Sequence, residues 1–252
     1  MTENNRERLR KNEAAKAQQQ RLNRIIGVGA AVLAVVLIAV FAVVLIQQQG
    51  TATPSSGSVT PPNATADGKA IVSNPGKAKA GAPVVELFFD YQCPVCKQFE
   101  TLYGDALQAL ADSGEIELHN RTMTFLDTNL GNDSSLRAGI AAGCADVSGT
   151  YAAYHAEVYV HQPETEGAGY TDEVLRQTIP ASVGITGDAL TQFQACYDQQ
   201  STKAFVQGTN DKATQDGVNG TPTFHVNGHD VPLSSFSGVD PSELGALITQ
   251  NA

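Results

Sequence analysis

The sequence has little of several residue types, and each shortage excludes a class of protein. Its 252 residues include four cysteines, two methionines and no tryptophan. Four cysteines are too few for a small domain that depends mainly on disulfides, and a chain of this length can bury an ordinary hydrophobic core. Only 17% of the residues are charged, and the net charge is −10. Such an acidic chain is a poor partner for nucleic acid, because phosphate binding requires a basic surface.

The charge is distributed unevenly along the chain. Residues 1–24 carry seven basic and three acidic side chains, a net charge of +4. Residues 47–252 carry nine basic and 23 acidic side chains, a net charge of −14. Between them, the 22 residues of segment 25–46 include no charged side chain. The chain is therefore basic, then apolar, then acidic, which is not typical of a single soluble globule.

The apolar segment 25–46 is long enough to cross a membrane as a helix. At 1.5 Å per residue, its 22 residues span about the 30 Å of the hydrocarbon layer. We expect an uncleaved anchor, because three glutamines follow where a cleaved signal peptide would have small residues. A cleaved signal peptide and a buried core helix are the alternatives. The basic residues 1–24 predict a cytoplasmic N-terminus and an extracytoplasmic remainder.

Residues 47–66 predict a flexible linker. The stretch is rich in Ser, Thr, Pro, Gly and Ala and has no apolar period, so it cannot bury enough surface to fold. A flexible chain of that length reaches about 25 Å, which would keep a domain near a membrane. The folded domain is then expected to cover residues 67–252.

The pattern after residue 82 predicts an α/β fold with an inserted helical domain. Residues 83–91 and 116–123 are rich in β-branched and aromatic side chains and predict strands, with a helical pattern between them. A helical block of about 90 residues follows at about 130–217, and then a strand at 223–227 and a final helix. Strands joined by crossover helices indicate an α/β sheet, which the helical block interrupts.

The sequence Cys93-Pro94-Val95-Cys96 follows the first of these strands and opens a helix. At a helix N-terminus, unpaired N–H groups and the helix dipole would stabilise the Cys93 thiolate. Pro94 fits the first turn, where its missing N–H costs nothing, and Cys96 lies one turn further on. A thiolate that attacks a disulfide, beside a thiol that resolves the mixed disulfide, predicts thiol–disulfide exchange. The alternatives are a purely structural disulfide and half of a zinc site, for which the sequence offers no second ligand pair.

A second motif, Gly220-Thr221-Pro222-Thr223-Phe224, precedes the last strand. Proline is tolerated at the first position of a strand. A cis bond between Thr221 and Pro222 would make a tight, fixed turn, and the alternative is an ordinary loop proline.

Segments 89–96 and 220–228 together resemble the DsbA-like thiol–disulfide oxidoreductases of the thioredoxin fold. The resemblance covers about residues 66–252 and includes the strand before the first motif and the helical insertion. Membrane-anchored members of this family occur in bacteria with a single membrane, where they oxidise exported proteins as these emerge.

The resemblance implies a role for four residues of the two motifs. Cys93 would be the nucleophile and Cys96 the resolving thiol. Pro222 would be cis and would pack beside the cysteine pair. Thr221 would then offer its backbone groups to a substrate peptide.

Two positions depart from the pattern of that family. Val95 stands where the strongly oxidising members often have histidine, and it cannot donate to the thiolate. Leu87 stands six residues before Cys93, where the family often has a buried acid that moves protons. Asp90 is our candidate for that role.

Cys144 and Cys196 lie on the first and fourth helices of the predicted insertion. Because free thiols tend to pair in an oxidising compartment, we expect a structural disulfide between them that fastens the insertion. The alternative is two buried free cysteines that act as small apolar side chains.

The sequence therefore predicts a thioredoxin fold with a helical domain inserted between its two halves, preceded by one transmembrane helix. We expect a monomeric, membrane-anchored disulfide oxidase outside the cytoplasm, with neither metal nor cofactor. Its expected partners are the thiols of unfolded exported proteins and a quinone-linked membrane partner that reoxidises it. A reductase or isomerase of the same fold, or a tethered binding module with an inert disulfide, is the alternative.

Overall fold

The computed structural model describes residues 57–252, which contain a five-stranded sheet. The strands are β1 (Ile71–Val72), β2 (Val84–Asp90), β3 (Glu117–Met123), β4 (Thr223–Val226) and β5 (His229–Asp230). Their order across the sheet is β1-β3-β2-β4-β5. β2 and β3 run parallel, and the other neighbours are antiparallel.

Helices make up much of the rest of the described chain. The α-helices are α1 (Pro94–Phe99), α2 (Asp105–Asp112), α3 (Phe125–Leu130), α4 (Ser134–Val147), α5 (Tyr151–Val160), α6 (Ile179–Ser182), α7 (Gly187–Asp198), α8 (Lys203–Gln215) and α9 (Leu244–Gln250). A π-helical turn, Glu100–Gly104, joins α1 to α2, and a second one, Val174–Thr178, leads into α6. Within residues 57–252, none of these helices combines the length and the hydropathy needed to cross a membrane.

The central strand β2 carries the first motif at its C-terminal end. Its side chains alternate between two apolar surfaces, as the period of a strand requires. Leu87 and Phe89 belong to the main core, which also contains Phe99 of α1. Phe88 points to the other face, where it packs with Met123 of β3. Because β2 is fixed from both faces and paired on both edges, the loop that follows it starts from a rigid position.

The helical insertion lies between β3 and β4, where the sequence predicts it, and begins with α3 rather than at about residue 130. Its central helix is α4, whose glycines let neighbouring chain segments approach closely. A Cβ atom on Gly139 would lie 2.9 Å from Val206 of α8, and one on Gly143 would lie 2.9 Å from the hydroxyl of Thr202. A disulfide between Cys144 and Cys196 joins α4 to α7.

The folded part begins earlier than the predicted boundary at residue 66. The N–H of Val59 donates to the carbonyl of Ser201 at 2.7 Å. The backbone N–H and the side-chain amide of Asn63 donate to the two carboxylate oxygens of Asp146 at 2.9 and 2.8 Å. Asp146 is 2% exposed and needs these donors, because a buried carboxylate without partners is costly. The end of the predicted linker is therefore held by the insertion, which its composition did not indicate.

Several predicted segments lie outside the described residues. They are the cytoplasmic tail 1–24, the anchor 25–46 and the linker up to residue 56. These assignments stay predictions.

We expect Asn63→Ala to lower the free energy of unfolding by about 1–3 kcal/mol, because it leaves one oxygen of the buried Asp146 carboxylate without a donor. Urea unfolding followed by circular dichroism measures this change. Asn219→Ala is the matched control, since its exposed side chain bonds only to the nearby carbonyl of Gly217. Equal stability of the two variants would show that the Asn63 contact contributes nothing.

Candidate active site

The motif cysteines lie at the junction of β2 and α1. Cys93 is the N-cap residue of α1, with an extended backbone, and Pro94 occupies the first helical position. Cys96 lies one turn along the helix. The side chains are 7% and 2% exposed, and both are free thiols. The structure thus places one cysteine at the helix N-terminus and the other beneath it.

The two thiols differ strongly in acidity. The hydrogen bond from the Cys96 thiol lowers the pKa of Cys93 from its ordinary value of 9.0 to about 6, against the opposing effect of burial. Hydrogen bonds from the backbone N–H groups of Cys96 and Val95 lower this pKa further. Burial raises the pKa of Cys96 well above 9.0, and its hydrogen bond to Cys93 adds to this. At neutral pH, Cys93 is therefore the thiolate and Cys96 keeps its proton.

The second motif lies beside this pair. The bond between Thr221 and Pro222 is cis, and Pro222 is buried. The carbonyl oxygen of Thr221 is 3.5 Å from the Cys93 sulfur, within reach of a hydrogen bond from the protonated thiol. The Thr221 hydroxyl is buried and has no partner among residues 57–252. Cys93 and Thr221, which are 128 positions apart in the sequence, thus lie side by side in the fold.

The helical insertion holds the loop that carries Cys93. The side-chain amide of Gln162 donates to the carbonyls of Tyr91 and Cys93 at 2.8 and 3.0 Å. The hydroxyl of Tyr170 donates to the same Tyr91 carbonyl at 2.6 Å. Sequence reasoning missed Gln162 and Tyr170, because both lie in an irregular segment after α5 where no period or motif marks them. The insertion therefore positions the nucleophile as well as covering the sheet.

Asp90 lies at the end of β2 and is fully buried. Burial raises its pKa to about 7. Its carboxylate accepts hydrogen bonds from the Ser135 hydroxyl at 2.6 Å, from the Gln92 N–H at 2.9 Å and from the Leu126 N–H at 3.2 Å. These donors come from the loop and from α3 and α4, so the carboxylate joins the active-site loop to the insertion. A role for Asp90 in proton transfer stays a prediction.

The remaining predicted site residues lie on either side of the cysteines. Pro94 and Val95 are exposed, Val95 by 49%, and form an apolar surface next to Cys93. Leu87 is 3% exposed and belongs to the core. Within residues 57–252, no group of three or more His, Cys, Asp and Glu side chains is placed to hold a metal ion.

The rate at which iodoacetamide modifies Cys93 should follow a titration with a midpoint near pH 6, because the thiolate is the reactive form. Mass spectrometry of samples quenched at each pH measures the modification of Cys93.

The same pKa predicts how the stability of the reduced protein depends on pH. Its value is lower in the folded protein than its ordinary 9.0, so the thiolate stabilises the reduced protein fully above pH 9. That contribution is lost as the pH falls from 9 towards 6 and below.

Cys93→Ser is the control for this titration, because it leaves Cys96 as the free thiol of the motif. We expect Cys96 in that variant to react slowly throughout the neutral range, since burial raises its pKa. A wild-type midpoint near pH 9 would contradict the assigned acidity of Cys93.

The chain resembles known proteins over most of the described residues. Residues 74–249 match the family model described as Thioredoxin. The probable disulfide bond formation protein D of Bacillus anthracis is 27% identical over 158 residues, which cover 61% of this chain and 69% of that protein.

Two solved structures share the fold. The thiol-disulfide oxidoreductase MdbA from Actinomyces oris has a TM-score of 0.63 and 22% identity, and the match covers 76% of this chain and 92% of that one. The reduced disulfide bond oxidoreductase DsbG from Mycobacterium tuberculosis has a TM-score of 0.59 and 23% identity, over 73% of this chain and 88% of that one. At these identities the two likenesses show the fold. The chain therefore belongs to the thioredoxin family and is a thiol–disulfide oxidoreductase with an inserted helical domain.

Proposed function

We propose that this protein is a disulfide oxidase that introduces disulfides into exported proteins. The observation that carries this proposal is the difference in acidity between Cys93, with a pKa of about 6, and the protonated Cys96. A thiolate that is stable at neutral pH favours the dithiol form of the pair, so the disulfide form tends to accept electrons. The name of the Bacillus relatives, disulfide bond formation protein, agrees with this direction.

The lowered pKa of Cys93 sets how strongly the reduced form of the cysteine pair is stabilised. Lowering the pKa of one thiol from 9.0 to about 6 stabilises the reduced pair at pH 7 by at most about 1.4 kcal/mol, because pH 7 lies only one unit above the lowered pKa; solvent screening reduces this upper value. For a couple of two electrons, this corresponds to about 30 mV. The pair is therefore more oxidising than an unperturbed dithiol in the same fold.

The oxidation proceeds in two exchanges. A client thiolate attacks the sulfur of Cys93 in the Cys93–Cys96 disulfide, and Cys96 leaves and takes up a proton. A second client thiolate then attacks the client sulfur of the mixed disulfide, and Cys93 leaves as its stable thiolate. A leaving thiol of low pKa leaves faster. The client loses two electrons and two protons, of which Cys96 keeps one and the solvent receives the other.

The surface around Cys93 suits an extended client. Val95 offers apolar contact without charge, and the backbone of Thr221 lies beside the sulfur that the client attacks. An unfolded chain has free backbone groups that can pair with Thr221, whereas a folded chain does not. This favours clients that have not yet folded.

The protein is also proposed to act from the outer face of the cell membrane. The 22 uncharged residues 25–46 would form the anchor, and the basic residues 1–24 would stay in the cytoplasm. With Val59 bonded to the insertion, a flexible tether from residue 47 to residue 58 would have 12 residues and would reach about 19 Å. A quinone-linked protein in the same membrane would reoxidise Cys93 and Cys96.

Refolding of reduced, denatured ribonuclease tests the oxidase proposal. The full chain in detergent, in its oxidised form, should restore ribonuclease activity, and Cys93→Ser should not. Reduction of insulin disulfides without any oxidation of ribonuclease would indicate a reductase instead. Failure of both reactions would indicate an inert disulfide.

Protease treatment of intact cells tests the proposed location. The domain after residue 58 should be cleaved from outside and the membrane fraction should retain the N-terminal segment. Protection of the whole chain in intact cells would contradict an extracytoplasmic domain.

A further inference from the structure

Gln92 directly precedes the nucleophile, and its side chain is buried. It is 3% exposed, although glutamine is mostly a surface residue. Its side-chain amide lies against the start of the helical insertion, where it contacts α3, α4 and the turn between them. The exchange between Cys93 and Cys96 uses no atom of this side chain. What Gln92 does there therefore depends on the residues that it holds.

The Gln92 side chain is at the centre of a network of hydrogen bonds. Its Nε2 atom donates to Oδ1 of Asp127 at 2.8 Å, and to Oδ1 of Asn132 and the Ser135 hydroxyl at 2.9 Å each. Its side-chain oxygen accepts a hydrogen bond from Nδ2 of Asn132 at 3.0 Å, so the two amides pair reciprocally. The three acceptors share two hydrogens, because an amide nitrogen carries no more. A side chain bonded to three residues in this way is held in one position.

The same partners cap the N-terminus of α4. The carboxylate of Asp127 accepts hydrogen bonds from the N–H groups of Ser135 and Leu136 at 2.8 and 2.9 Å. Oδ1 of Asn132 accepts one from the N–H of the first residue of α4 at 3.1 Å. The first N–H groups of a helix have no partner within the helix and need such acceptors. Gln92 is therefore bonded to the side chains that fix the start of the central helix of the insertion.

The turn that contains Gln92 transmits its position to the nucleophile. The N–H of Gln92 donates to Oδ1 of Asp90 at 2.9 Å, and the N–H of Cys93 donates to the carbonyl of Asp90 at 3.0 Å. Because the peptide unit between residues 92 and 93 is planar, an anchored Gln92 limits the directions that the Cys93 side chain can take. Gln162 and Tyr170 bond to the carbonyls on either side of residue 92 and not to residue 92 itself.

We propose that Gln92 is a positioning residue, through which the start of α4 holds the Cys93 sulfur against the first N–H groups of α1. The N–H groups of Val95 and Cys96 lower the pKa of Cys93 only while the sulfur stays within their reach. A looser turn lengthens these hydrogen bonds and so raises that pKa. The Gln92 side chain bonds to neither sulfur of the motif, so it acts on the exchange through Cys93. Because this role rests on the exchange chemistry of the cysteine pair, it is the same in an oxidase and in a reductase.

Gln92→Ala tests the proposal, in the full chain in detergent. We expect the pH midpoint for alkylation of reduced Cys93 to rise by about one unit, so that the rate at pH 6 falls about 5-fold and the rate at pH 9 stays the same. In glutathione buffer at pH 7, the equilibrium of the cysteine pair should shift about 5-fold towards the disulfide, because the thiolate stabilises the reduced form less. A loss of stability by itself would move neither value.

Asn132→Ala is a second test that leaves the active-site loop unchanged. It removes the amide that pairs with Gln92, from a position 40 residues further along the chain. We expect the alkylation midpoint to rise in the same direction but by less, since Asp127 and Ser135 still hold Gln92. In the double variant the shift should equal that of Gln92→Ala alone, because Asn132 acts on Cys93 through Gln92.

Asn63→Ala is the matched control at the opposite end of α4. It also removes an amide that bonds to a carboxylate of the insertion, in this case that of Asp146. Asp146 lies 11 residues after Ser135, which is about 16 Å along the helix axis. We expect this variant to lose stability while its alkylation midpoint and its glutathione equilibrium stay at the wild-type values.

A wild-type midpoint in a folded Gln92→Ala would overturn the proposal. An equal rise in Asn63→Ala would overturn it as well, because the shift would then reflect general loosening of the insertion. If circular dichroism shows that Gln92→Ala does not fold, Asn132→Ala decides, and a wild-type midpoint there refutes the positioning role. If the wild-type protein does not refold ribonuclease but the midpoints shift as expected, the oxidase function has failed and the role of Gln92 stands.

Discussion

Cys93→Ser should lower the rate of disulfide exchange with a client at least about 1000-fold, whereas Cys96→Ser should trap the client on the protein. Cys93 carries the low pKa, about 6, and lies at the helix N-terminus beside the exposed Val95. Its sulfur is therefore the one that a client thiolate attacks in the oxidised pair, and its thiolate is the group that attacks a disulfide in the reduced pair. Without Cys96, no neighbouring thiol resolves the mixed disulfide, and the adduct accumulates.

A peptide with one cysteine and a fluorescent label measures both effects on a non-reducing gel. Oxidised glutathione activates the remaining cysteine of each variant, and the labelled band reports the mixed disulfide. The double variant Cys144→Ala/Cys196→Ala in the Cys96→Ser background is the control, and it should trap the peptide equally well. Trapping by Cys93→Ser instead of Cys96→Ser would show that the two cysteines have exchanged roles.

Cys144→Ala/Cys196→Ala should lower the free energy of unfolding by about 4 kcal/mol. The disulfide joins residues 52 positions apart, and closing a loop of this size restricts the unfolded chain by about that amount. For a folded unit of this size, each kcal/mol lowers the melting temperature by about 2–4 °C. We expect a decrease of about 10 °C or more in thermal unfolding followed by circular dichroism.

Reduction of the wild-type protein supplies the control for this measurement. A phosphine reductant that opens the disulfide should bring the wild-type melting temperature down to that of the double variant. Added to the double variant with its active site already reduced, it should change nothing. Equal melting temperatures of the oxidised wild-type protein and the double variant would show that this disulfide does not stabilise the fold.

Local patterns made the centre of the fold predictable from the sequence. The run of β-branched and aromatic residues marked β2, and Cys93-Pro94-Val95-Cys96 marked the start of α1. Strand period, helix period and the chemistry of proline at a helix start act over a few residues. The sequence displays such signals directly.

Features that depend on distant contacts were not predictable in this way. Residues 59–66 have the composition of a linker, yet Asn63 is held by Asp146, which lies 83 positions further on. Gln162 fixes the active-site loop from a segment without a period. The π-helical turn that follows Phe99 and contains Glu100 looks like ordinary helix in the sequence. In each case a tertiary contact sets the position, and no local signal accompanies it.

The reduction potential of the Cys93–Cys96 pair tests the oxidase account most directly. Thioredoxin, whose reactive cysteine has a pKa of about 7, has a potential of about −270 mV, and DsbA, with a pKa of about 3.5, has one of about −120 mV. The pKa of Cys93, about 6, lies between these values. Equilibration in glutathione buffers at pH 7, with thiols counted by alkylation and mass spectrometry, should give a potential between about −250 and −120 mV on this scale. A potential at or below about −270 mV would contradict the oxidase and indicate a reductase.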